Sequence, residues 1–237
     1  MKLDLKKRPK SPIIIQGFPG FGLVGTITTE FLIEQLKAEP IGTIKCDDIP
    51  AMIAIHGGKI LHPIGIFYDK KTNIVIVHII TTLQGIEWQL ADVISKMAKE
   101  LNAESVISLE GVASPVEEEE KMACFYYSNI DRHKKTFEKN SIKPLKEGII
   151  LGVTGALLLD ADDIPLTAIF AETHSAMPDS KASAKVIELI DKLLGLNIPT
   201  KPLMEEAEKF EKKLKGILQQ SKEVSEQQIK KRLSYVG

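Results

Sequence analysis

The sequence has 237 residues, 43% of them hydrophobic, enough for one large or two small domains around a sizeable core. Lys and Arg total 31 against 32 Asp and Glu, so no global field would draw the chain to nucleic acid or to an anionic membrane. Cys46 and Cys124 stand far apart with no CxxC and no interleaved histidines, which argues against a disulfide framework or zinc site and for a reducing, cytoplasmic setting.

The first ten residues, MKLDLKKRPK, carry charge without an apolar stretch, and no later apolar run approaches the roughly 20 residues a bilayer needs. The expectation is a protein neither secreted nor membrane-spanning. Ile13 to Ile15 reads as a strand, and the stretch to residue 25, IIIQGFPGFGLVG, continues into Gly20-x-Gly22-x-x-Gly25 and an apolar helix from about Leu23 to Leu36. The glycine spacing is that of a dinucleotide fingerprint, and Asp47 and Asp48 follow at a suitable distance. Against that reading, Gln16-Gly17-Phe18-Pro19 separates the strand from Gly20. Phe18 and Phe21 also add apolar bulk where a pyrophosphate needs bare amides. A tight structural turn is the simpler assignment, with the two phenylalanines either in the core or offered to a partner.

Strand-like runs follow at Ile41 to Lys45 and Ala51 to Ile55. Turns at His56-Gly57-Gly58-Lys59 and Asp69-Lys70-Lys71-Thr72-Asn73 predict a partly antiparallel meander from Met52 to Tyr68 and Ile74 to Ile80. The sheet is therefore expected to be mixed. Gly85 to Leu101 is a helix with Ile86, Leu90, Val93, Ile94, Met97 and Leu101 on one face and Trp88 off it. Ser105 to Leu109 is a strand, Glu117 to Glu120 an exposed loop before the apolar patch Met122 to Tyr127, and Arg132 to Asn140 a helix. Ile149 to Val153 reads as a strand, Thr154 opens a short helix through Leu159, and Leu166 to Ala171 is a buried strand. Pro178-Asp179 begins a helix through Leu194, with Asp179 as N-cap and Gly195 as its stop.

Beyond Pro199 and Pro202 the chain is rich in charge. Leu203, Phe210 and Ile217 recur every seven residues, continued by Val224, with Ala207 and Leu214 between them, which predicts a helix with one apolar seam. That seam serves either its own domain or a second subunit. The basic stretch Lys230-Lys231-Arg232 leads into Leu233-Ser234-Tyr235-Val236-Gly237.

Strand ends are where an open α/β sheet gathers ligands, here Gln16-Gly17, Thr81-Thr82, Glu110-Gly111, Thr154-Gly155 and Glu172-Thr173. Glu110 and Glu172 could act as acid and base of a nucleosidase or phosphorylase, yet no Arg or Lys joins them to neutralise phosphate, and caps and loop hydrogen bonds account for both. His56, His62, His78, His133 and His174 are dispersed, so no metal site is expected, and no G-x-S-x-G elbow occurs; Thr173-His174-Ser175 reads as a loop.

Five stretches fit one further pattern: GFPGFGLVG, Cys46-Asp47-Asp48-Ile49-Pro50, Glu110-Gly111, Val153-Thr154-Gly155 and Pro178-Asp179. From about Pro12 to Leu196 they make the chain resemble the archaeal proteasome assembly chaperone family. The resemblance implies a three-layer α/β/α sandwich with a mixed sheet, taken here over residues 1–202, similar to nucleoside phosphorylases without their activity; the heptad pattern adds a C-terminal helix and tail over 203–237. It also implies a homo-oligomer, no catalytic residues, no cofactor, and an ATP-independent chaperone role toward proteasome α-subunits. Gly17, Gly20, Gly22 and Gly25 then have a structural job, and Leu203, Ala207, Phe210, Leu214 and Ile217 are candidates for the subunit contact. Proteasome-binding members of the family resemble proteasome activators in ending with a hydrophobic-Tyr-any tripeptide. Here Tyr235 is third from the end, a register shifted by one, and Leu233, Tyr235, Val236 and Gly237 are the candidate partner contacts. An enzyme on the same fold and an oligomeric scaffold for another client stay open as alternatives.

Overall fold

Strands form where β-branched residues run together, and helices where apolar side chains recur at helical spacing. The computed structural model describes residues 1–49, 51–56, 58–113, 123–159, 164–173, 178–199, 201–202, 216 and 219. The chain runs β1 (Lys2–Leu5), β2 (Ile13–Gly17), a 3-10 turn (Phe21–Leu23), α1 (Val24–Leu36), β3 (Glu39–Lys45), β4 (Ala54–His56), β5 (Lys59–Leu61), β6 (Ile64–Asp69) and β7 (Ile74–Ile79). It continues with α2 (Glu87–Glu100), β8 (Ser105–Ala113), β9 (Cys124–Ser128), α3 (Asp131–Lys139), β10 (Lys143–Pro144), α4 (Gly152–Leu159), β11 (Leu166–Thr173) and α5 (Ser180–Leu194).

Nine strands make one mixed sheet in the order β1-β3-β6-β7-β2-β8-β11-β9-β10. Its centre is the parallel set β7, β2, β8 and β11, in register from Ile13 beside Ile74 and Ser105. Those strands are apolar on both faces; every residue of β7 is buried, as a strand covered by helices on each side requires. Antiparallel β6, β3 and β1 extend one edge, and β9 with β10 the other.

Side-chain alternation divides the core in two. Ile14, Val75, Val77 and Val106 face Leu90, Ile94, Met97, Val153 and Leu157 of α2 and α4. Ile15, Ile76, Ile107 and Ile169 face Phe31, Phe137 and Ile187 of α1, α3 and α5. The apolar stripe of α2 is buried in full, while Trp88 points away from it and is 62% exposed. Asp179 accepts the Ala182 amide at 2.9 Å to cap α5, and Gly195, at φ 65°, ends that helix.

Three sequence expectations need correction. The run Ile149 to Val153 is no strand: residues 149–151 have no regular structure, Gly152 turns the chain at φ 76°, and Val153 belongs to α4. The meander from Met52 to Tyr68 is not continuous, because β4 and β5 form a separate two-stranded hairpin off the main sheet. The charged N-terminus, read only for targeting, is strand β1, whose Leu3 and Leu5 pack on the core. The seam Leu203, Ala207, Phe210, Leu214 and Ile217, the tail Leu233, Tyr235, Val236 and Gly237, and His174 lie outside the described residues.

Candidate functional site

The glycine turn is packed on backbone. A Cβ on Gly17 would run into the Gly25 carbonyl, and one on Gly25 would sit 2.7 Å from the Leu109 carbonyl of β8. Gly22 has φ 61°, and a Cβ there would sit 2.5 Å from Thr173 Oγ1. Its carbonyl accepts the Asp179 amide at 2.8 Å, so the turn is tied to the start of α5. Only Gly20 has room, with a would-be Cβ 3.8 Å from the Phe18 ring. The first turn of α1, whose amides would have to hold a phosphate, is buried against the ends of β2 and β8. The two phenylalanines divide the two roles available to them: Phe18 is 6% exposed and Phe21 is 49% exposed.

Beyond that turn, on the α2 and α4 face, the sheet opens into a cleft of about 950 Å³. Parallel register sets Glu110 beside Phe170 and Glu172 beside Val112, and even-numbered parity puts both acids on the same face as Leu166 and Val106. Phe125 of β9 pairs with Phe170 and lines the cleft as well. The helices of that face cover the β1 to β8 half; over β11 and β9 the wall is the segment from Lys143 to Leu151, with Phe21 at the other rim.

A directed hydrogen-bond chain ends at Glu110. Gln16, fully buried on β2, donates through Nε2 to Ser108 Oγ. That hydroxyl lies 2.7 Å from Thr154 Oγ1 of α4, and Thr154 hydrogen-bonds the Glu110 carboxyl. Because the amide gives Ser108 its proton, the serine hydrogen is free for Thr154 and the threonine hydrogen for Glu110, so every donor in the chain points toward the acid. Burial outweighs this help and raises the Glu110 pKa to about 7. Its Oε2 is buried and has no hydrogen-bond partner among the described residues. Glu172 is half-buried and accepts the Ala123 amide at 2.9 Å. Of the residues that the sequence places at strand ends, the structure joins Gln16, Glu110 and Thr154 in one chain, Thr154 from within α4 and not from a strand end, and brings Glu172 to the same cleft. Thr81 is buried and Thr82 exposed, and neither lines it.

Exposed apolar side chains flank the cleft. Trp88, Leu151 and Leu159 border a shallower hollow that shares Gly148, Ile150 and Leu151 with it, and Ile149 is 88% exposed. Ile53, Ile55 and Ile60 make a second exposed cluster, around the β4 and β5 hairpin. Sequence reasoning flagged Trp88 as off its helical stripe but placed Ile149 and Leu151 in a strand.

Two histidines are structural. His78 holds the Glu30 carboxylate at 2.8 Å and Thr29 Oγ1 at 2.9 Å between β7 and α1. His133 meets Thr167 Oγ1 at 2.8 Å, and burial, with Arg132 adding to it, lowers its pKa to about 4.

The chain is 30% identical over 213 residues to the uncharacterized protein MJ0106 of Methanocaldococcus jannaschii, covering 89% of this chain and 87% of that one. In structure it is similar to Pyrococcus furiosus PbaA, an archaeal homolog of proteasome-assembly chaperone. The TM-score is 0.84 at 32% identity, over 94% of this chain and 99% of that one. Pyrococcus furiosus PbaB, an archaeal proteasome activator, shares the fold at TM-score 0.72 and 22% identity, over 91% of this chain and 98% of that one. The PAC2 family model matches residues 14–218, a span that takes in the glycine turn, the whole parallel sheet and both helix layers, and the chain belongs to the PAC2 family.

Proposed function

We propose that this PAC2 protein is an ATP-independent proteasome assembly chaperone, or a chaperone-like homologue, that acts by binding protein and works as a cytoplasmic homo-oligomer. The observation that carries the reading is the 32% identity to PbaA across nearly the whole of both chains. Two clusters of exposed apolar side chains on the folded domain, around Trp88 and around Ile55, support a role in protein contact. In this reading residues 1–202 form a three-layer chaperone domain, and Leu203, Ala207, Phe210, Leu214 and Ile217 of a helical extension make the subunit contact. Leu233, Tyr235, Val236 and Gly237 dock on a proteasome α-subunit. Gly17, Gly20, Gly22 and Gly25 shape the turn rather than hold a cofactor.

Affinity capture with the tagged full chain from source cells tests the reading. Recovery of proteasome α-subunits, and their retention when ATP is depleted, is the expected result. Recovery of a different stoichiometric client with no α-subunit would make the protein a scaffold for something else.

A further inference from the structure

We propose that the cleft at the carboxyl ends of β8 and β11 binds a small amphipathic amine, its apolar body against Phe21, Phe125 and Leu151 and its ammonium on the Glu110 carboxylate. The inference stands apart from the chaperone reading and would hold for any client.

Size and lining select the class. A volume of about 950 Å³ is that of a site for a small organic molecule, of the order of 300 to 1,000 Å³. Aromatic and aliphatic side chains form most of its wall, so the ligand needs an apolar body. The polar groups at its inner end are acceptors: the Glu110 carboxyl, with one oxygen lacking any hydrogen-bond partner among the described residues, and the Glu172 carboxylate. Gln16, Ser108 and Thr154 hold the Glu110 carboxyl through one line of hydrogen bonds that reaches one side of it. Among the described residues no donor reaches Glu110 Oε2, and a cation supplies both the proton and the charge that a buried carboxylate lacks.

Among the described residues the other charged groups lining the cleft are Glu172, Lys143, Lys146 and Glu147. Both lysines and Glu147 are exposed on the outer wall, where water and salt screen them, while Glu110 is mostly buried. The field at the inner end is therefore anionic once Glu110 ionises, near pH 7.

The test uses three probes with one body and different heads, 2-phenylethylamine, 2-phenylethanol and phenylacetate, with adenosine as a fourth, titrated into the full-length protein by calorimetry at pH 8. Saturable binding of the amine, at least tenfold tighter than the alcohol and with no binding of the acid, is the expected result. Its affinity should fall about tenfold per pH unit below 7, as Glu110 takes up its proton. Glu110→Gln should abolish the preference for amine over alcohol, and Phe125→Ala should weaken both, each in a protein whose melting temperature shows it folded. Equal binding of amine and alcohol, amine binding that survives Glu110→Gln, or no saturable binding by any of the three overturns the proposal. So does adenosine binding with release of its base, which would instead revive an enzyme on this fold.

Discussion

Gly17 shows at a single position how closely two backbones cross in the glycine turn. Gly17→Ala would drive a methyl into the carbonyl of Gly25, and neither backbone can yield without moving β2 or α1, so a loss of about 3 kcal/mol is expected in urea unfolding. Gly20→Ala, where a Cβ finds open space, should cost well under 1 kcal/mol, and that contrast separates packing from a general need for flexibility. Glu110 makes a prediction in pH. Its pKa rises on folding from 4.5 to about 7, so the native state holds more protons than the unfolded chain between those values, and stability falls as pH rises through that window. His133 has the opposite sign: its pKa falls on folding from 6.5 to about 4, and stability is lost as pH drops through that range. Between pH 4.5 and 6.5 the two slopes oppose each other. Glu110→Gln should therefore unmask the His133 slope, giving a melting temperature that climbs from pH 4 to 6.5. At pH 8 it should also exceed wild-type stability by on the order of 2 to 3 kcal/mol. A variant less stable than wild type at pH 8 would show that the hydrogen-bond chain from Gln16, and not burial, governs this acid.

At the level of elements, what was legible in the sequence depended on whether one element could declare itself. The stripe of α2, the Asp179 cap and Gly195 stop of α5, and the apolar runs of β2, β8 and β11 are local signals, and each sits where that signal put it. Ile149 to Val153 misled because a short apolar run of β-branched residues has no period of its own. Neighbours decide such a run, and here Gly152 turns it and α4 takes the remainder. The cleft was half legible: Glu110 and Glu172 are recognisable near the carboxyl ends of two strands, although β8 runs on past Glu110 to Ala113, and their common face depends on the parallel pairing of β8 with β11, which no local pattern encodes. The heptad seam belongs to this scale too. If Leu203, Phe210, Leu214 and Ile217 are buried between subunits, each contributes about 1.5 to 3 kcal/mol. Truncation after Pro202 should then lower the mass seen by light scattering at micromolar concentration. An unchanged mass would assign the seam to its own subunit.

For the whole molecule, the proposed chaperone role turns on whether a client would be held by the folded surface, by the tail, or by both. Trp88, Leu151 and Leu159 offer a fixed apolar face, whereas Leu233, Tyr235 and Val236 follow a basic, polar stretch that includes Gln227, Gln228, Lys230, Lys231 and Arg232. An aromatic ring with Leu233 and Val236 close to it in sequence suits a pocket, and two weak contacts joined by one chain reinforce each other through effective concentration. Measured as binding to isolated proteasome α-subunits, deletion of Leu233 to Gly237 and the point change Tyr235→Ala should each reduce affinity at least tenfold if the tail is the anchor, with the melting temperature unmoved. Trp88→Ala, at an exposed position, should likewise leave folding intact, and its effect on affinity reports on the domain surface alone. The tail deletion combined with Trp88→Ala separates the two surfaces. If both surfaces hold the same α-subunit, the losses should exceed those of either change, because the second contact can no longer hold the first in place. If Trp88→Ala has no effect and the deletion removes binding, the folded domain only carries the tail. Undiminished binding after both changes would leave neither surface in the mechanism and would direct attention to the cluster of Ile53, Ile55 and Ile60.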